Sequence, residues 1–118
     1  MKLYVLYIPA LFIAFDILTG WLKALSTGTV NSSIMRKGLV HKLGEILALA
    51  FGALCEYTFP MLGIDSNIPF TLAICVYLTV METASIIENL AAMNPQLAGI
   101  LNRLFSKEKL EGEKNDEN

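Results

Sequence analysis

Four carboxylates in apolar surroundings are the first residues to consider: Asp16, Glu45, Glu56 and Glu82 each sit inside a run of hydrophobic residues. A charged side chain at the centre of a membrane helix costs about 2.5–3.5 kcal/mol on insertion scales. Such groups therefore face a bundle interior or a water-filled path. Lys23, Ser85 and Asn89 extend this polar set. Other chemistry is poorly supported. There is no Gly-rich phosphate loop, no Ser/His/Asp set and no paired His. His41 is alone, and Cys55 and Cys75 lie in apolar stretches where cysteine behaves as a small hydrophobe. Their spacing suggests no metal site. Neither an enzyme nor a cofactor is expected.

The elements that carry these residues are three apolar stretches, at about 3–25, 43–62 and 68–87. At about 1.5 Å per residue, each can cross a hydrocarbon core of about 30 Å as a helix. Helical spacing then groups the polar residues. In the first stretch Asp16, Gly20 and Lys23 share a face. In the second, Gly44, Ala48, Gly52 and Glu56 form a row at i, i+4, i+8, i+12, with Glu45 beside it. The small-xxx-small spacing of Gly44, Ala48 and Gly52 lets helices approach closely. In the third, Thr71, Cys75, Leu78, Glu82, Ser85 and Asn89 form one continuous, mildly polar stripe. These groups either fasten three helices into one bundle or drive self-association and line an aqueous lesion. Three helices offer little interior, so the acids are expected to be shielded by neighbouring copies or protonated, with assembly through the Gly44/Ala48/Gly52 face. Asp16 and Lys23 are two turns apart on one helix and are expected to pair between helices or subunits.

Composition supports a bilayer. Of 118 residues, 54% are hydrophobic and 17% charged, against about 25% charged in a soluble domain. Eight of the 20 charges lie in 107–118, leaving 12 for the first 106 residues. The net charge is −2, so no strong field favours nucleic acid. The basic residues are one-sided. Lys23, Arg36, Lys37 and Lys42 flank the first link, and Arg103, Lys107, Lys109 and Lys114 follow the third stretch. The link at 63–67 has none, and the N-terminus has only Lys2. The positive-inside rule then places the first link and C-terminus in the cytoplasm and the N-terminus outside. Two flanking segments read as interfacial amphipathic helices, about 33–41 and 95–105. Asn94 and Pro95 suit the start of the second. The fold expected is an all-α integral membrane protein: a membrane domain over 1–106 with three transmembrane helices, then a charged, disordered cytoplasmic tail over 107–118.

Two groups of residues carry a family resemblance. One is Phe15-Asp16 with Gly20, Ala24, Asn31-Ser32-Ser33 and Gly38; the other is Glu82 with Ser85-Ile86, Asn89, Pro95 and Leu97. In order and spacing the chain resembles, over about 11–104, the small holin family that includes phage lysis holins and clostridial toxin-secretion holins. The middle stretch matches only as a hydrophobic segment. A longer N-terminal extension seen in some toxin-secretion members is lacking, which leans toward a phage or prophage holin. The resemblance implies a timed permeabiliser of the bacterial cytoplasmic membrane that associates with itself and with lipid. An antiholin is a possible partner, and an endolysin or toxin is coupled functionally without direct binding. The rival expectations are a small proton-coupled multidrug transporter, which needs four spans, and a non-conducting antiholin or membrane scaffold.

Overall fold

The computed structural model describes residues 3–65 and 67–104. A short 3₁₀ turn at Leu3–Leu6 leads into α1, Tyr7–Thr27. Gly28 ends α1 in the left-handed region at φ 67°, donating its N–H to the Ala24 carbonyl. A side chain there would be strained, and glycine meets the need at little cost. Three residues later Asn31 starts α2, Ser32–Thr58; its side-chain oxygen accepts from Ser33 N and Ile34 N at 3.0 and 3.3 Å. A 3₁₀ turn at Pro60–Leu62 ends at Gly63, also left-handed, and α3 follows over Phe70–Met93. Asn94 then caps a further helix, α4, described over 95–104, accepting from Gln96 N and Leu97 N at 3.1 and 3.2 Å. The tail expected over 107–118 lies outside the described residues.

Three segments are long and apolar enough to cross a membrane: Tyr4–Thr27, Ser32–Leu62 and Phe70–Met93. The fold is all-α, with no strand among the described residues. Two boundaries differ from expectation: α3 runs past the expected end at 87 to Met93, and α2 starts earlier than the expected 43. Residues 33–41, expected as a separate surface helix, are the first turns of α2. No proline interrupts 33–62 before Pro60, and neither Gly38 nor Gly44 is followed by a stop signal. Ending a helix near 42 would also leave unpaired carbonyls at the edge of the bilayer. The 31 residues of the second span reach about 46 Å at 1.5 Å each. That exceeds the hydrocarbon core by about half, so α2 either tilts across it or extends past it.

Cross-helix contacts give the topology. Cys75 Sγ lies 3.9 Å from the Val5 carbonyl, and Asn89 reaches Asp16 and Gly20. α1 and α3 therefore run parallel. Gly52 packs on Ile74 while Lys42 reaches Glu82, so α2 runs antiparallel to α3. α1 and α3 share the most extensive interface, α2 leans mainly on α3, and α1 scarcely touches α2. The interior is more polar than the outside. Asp16, Thr19, Thr71, Glu82 and Asn89 are buried, beside a small apolar core of Leu49, Cys75 and Leu78. Among the described residues, thirty large hydrophobic side chains are exposed. In water such a surface would aggregate; in lipid it is the correct exterior.

Candidate functional site: a buried ion cluster between three helices

One lysine organises the interior. Lys42, on α2, places Nζ 2.6 Å from Asp16 Oδ2 on α1. The same nitrogen donates to both carboxylate oxygens of Glu82 on α3, each at 2.6 Å. Glu45 Oε2, one turn along α2, lies 3.8 Å away. Asp16 and Glu82 are 6% and 1% exposed, and the Lys42 side chain 17%. An ammonium with three donors thus ties all three helices together at one level. His41 flanks the cluster from the exposed side, with Nδ1 3.3 Å from Glu45 Oε1.

The α1 side is held by a second network. Asn89 Nδ2 donates to Asp16 Oδ1 at 2.9 Å and to Thr19 Oγ1 at 3.0 Å. Thr19 Oγ1 in turn donates to the Asp16 backbone carbonyl at 3.1 Å. One Asp16 oxygen is therefore occupied by α3 and the other faces Lys42. Between the Lys42 half of α2 and the second half of α1 lies an open cavity of about 490 Å³. Trp21, Ile34 and Leu39 are among its apolar walls, and Asp16, Lys42 and Asn89 are among its polar lining residues.

The site residues expected from sequence fall into distinct places. Asp16, Glu45 and Glu82 meet at Lys42, with Asn89 joined through Asp16. Ser85 lines the cavity beside them. Lys23 also lines it but makes no ion pair among the described residues; the partner of Asp16 is Lys42. Glu56 lies further along α2 among Cys55, Phe59 and Phe70, away from the cluster. Gly20 faces α3, where an added Cβ would lie 3.6 Å from Asn89 Nδ2. Gly52 is buried, and a Cβ there would lie 2.5 Å from Ile74 Cδ1. Gly44 and Ala48 are exposed, with open space around Gly44. The three small residues do not share one face: Gly52 serves a contact within the chain. Asp16 and Glu82, expected to be shielded by neighbouring copies or protonated, are paired with Lys42 inside one protomer, whereas Glu45 Oε2 is buried with no hydrogen-bond partner among the described residues.

From sequence alone Lys42 counts only as a loop charge. A signal for it exists. Gly38, Lys42, Glu45, Leu49, Gly52 and Glu56 follow i, i+4, i+7, i+11, i+14, i+18, the same spacing as the α3 stripe. Among the described residues, no group of three or more His, Cys, Asp or Glu side chains is placed to hold a metal.

Fold and cluster together define a multi-pass membrane protein whose charges are sequestered between its helices. Over residues 3–109 the sequence matches the model of the bacteriophage holin family. That is most of its length, and the chain belongs to this family. No curated protein and no solved structure matches it.

Proposed function

We propose that this holin-family protein accumulates in the bacterial cytoplasmic membrane in a closed form. It then assembles with copies of itself into a lesion that releases an endolysin or a toxin. The observation that carries this reading is the polar interior: charged and amide side chains are stored between helices whose outer faces are greasy. A protomer with its ions paired internally can reside in lipid without leaking. If its helices part, the same groups become water-facing surface, because an ionised carboxylate is far cheaper hydrated than buried. The protomer itself is too thin to enclose a conduit. Its smallest dimension is 20 Å, about two helix diameters. A hole therefore needs several copies.

Inducible expression in a bacterium tests the proposal, following membrane potential and release of a cytoplasmic enzyme. The expected result is a period of normal growth, then abrupt depolarisation and release. Stable insertion with no depolarisation or release overturns it and supports a non-conducting antiholin or scaffold. Resistance to toxic amines in place of lysis would support the transporter reading.

A further inference from the structure

We infer that Lys42 is a latch: its ion pairs with Asp16 and Glu82 hold α2 against a rigid α1–α3 pair, and their release lets α2 part from α1. The argument is one of unequal attachment. α1 and α3 are bound along their length and joined by the Asn89–Asp16–Thr19 network. The far half of α2 is also fixed. Gly52 sits flush against Ile74, and Phe59 meets Phe70 edge to face with ring centroids 6.0 Å apart. The Lys42 half has no such packing. Between Ser32 and Ala48 every residue is exposed except Met35, Lys42 and Glu45, which are half-buried. The cavity of about 490 Å³ separates this half from α1. What bridges the gap is the Lys42 side chain, with Asp16 on one side and Glu82 on the other.

An ion pair suits this task better than apolar packing. In lipid, apolar side chains gain little by leaving the solvent for each other. A buried pair is strong while intact, and removing one partner leaves an uncompensated buried charge. The closed state is therefore abolished by a single event at one group. Opening would admit water to Asp16, Ser85 and Asn89, which line the cavity.

The inference rests on the holin reading only for its consequence in lysis; the conformational claim is tested separately. Spin labels are placed at Leu18→Cys on α1 and Leu43→Cys on α2, both exposed. The background is Cys55→Ala, Cys75→Ala in lipid bilayers. A control pair, Tyr57→Cys and Leu72→Cys, reports the far half of α2 against α3. The chain with Lys42 should give one narrow distance for each pair. Lys42→Met should shift the first pair to longer, broader distances and leave the control pair unchanged, whereas Lys42→Arg should keep both. Because Lys42→Met also strands two buried acids, the neutral triple variant Lys42→Met, Asp16→Asn, Glu82→Gln is measured too. It should open like Lys42→Met. If the triple variant returns the first pair to its original distance, or if Lys42→Met leaves it unmoved, the latch is overturned. A shift of both pairs together would mean general unfolding and would overturn it equally. In cells, Lys42→Met should advance the onset of depolarisation. Failure of this arm with the expected spectroscopic result would count against the holin reading and not against the latch.

Discussion

At the scale of single residues, an amide matters as much as the charges. Asn89 satisfies one oxygen of Asp16 and the hydroxyl of Thr19 across the α1–α3 interface. Interhelical hydrogen bonds in membranes average about 0.6 kcal/mol and reach about 1.7. Asn89→Ala removes two from a buried carboxylate network, so a loss of about 1–3 kcal/mol is expected, measured by unfolding in bilayers. Asn89→Leu should cost at least as much, since no group then meets Asp16 Oδ1. A loss below 0.5 kcal/mol in both, roughly the worth of one weak bond, would mean that Asn89 is not what holds Asp16. Much of this region was legible beforehand. The acids, Asn89 and Ser85 stand out because a polar residue in an apolar run is costly and needs a reason. Lys42 was not legible in the same way. It lies next to Arg36 and Lys37, and basic residues near a span end are ordinarily topology signals. Its role emerges only once three helices converge on it.

Single elements show where periodicity misleads. The α3 stripe, read at mixed three- and four-residue steps, coincides with the buried face of α3. The α2 row, read at strict four-residue steps, drifts around the helix by about 40° per step. It therefore links exposed Gly44 and Ala48 to buried Gly52. Leu at position 52 should force α2 from α3, at about 1–3 kcal/mol for overpacking. Adding Ile74→Ala should recover most of the loss, because Ile74 Cδ1 is the atom in the way. If Ile74→Ala gives no recovery, the damage from Gly52→Leu lies elsewhere, such as between copies. The start of α2 is set by Asn31. Asn31→Ala should lose about 1 kcal/mol locally, read as roughly fivefold faster hydrogen exchange at the Ser33 and Ile34 amides. The existence of three apolar helices was plain from hydropathy. The junction near 42 was not, since nothing local distinguishes a surface helix from the first turns of a span.

For the whole molecule, parallel α1 and α3 place the 28–31 link and the start of α4 at the same end. Lys23, Arg36 and Lys37 belong to that end, whereas the 63–67 link at the other has no Lys or Arg. From the positive-inside rule we propose that the basic end faces the cytoplasm. In intact cells, a cysteine at position 67 should react with an impermeant thiol reagent from outside, and one at position 29 should not. Reaction at 29 alone would reverse the topology.

The Asn89–Asp16 hydrogen bond joins residues 73 apart in sequence. On the ribosome, α1 must enter the translocon with Asp16 well before Lys42, Glu82 and Asn89 exist. At about 5–20 residues per second, the wait for Asn89 is roughly 4–15 s. During that interval the nascent helix needs a surrogate, either a proton on Asp16 or shelter within the insertion machinery. An arrested chain in which α1 has left the ribosome but Glu82 and Asn89 are not yet made should therefore cross-link to the translocon through α1, and the completed chain should be released from it.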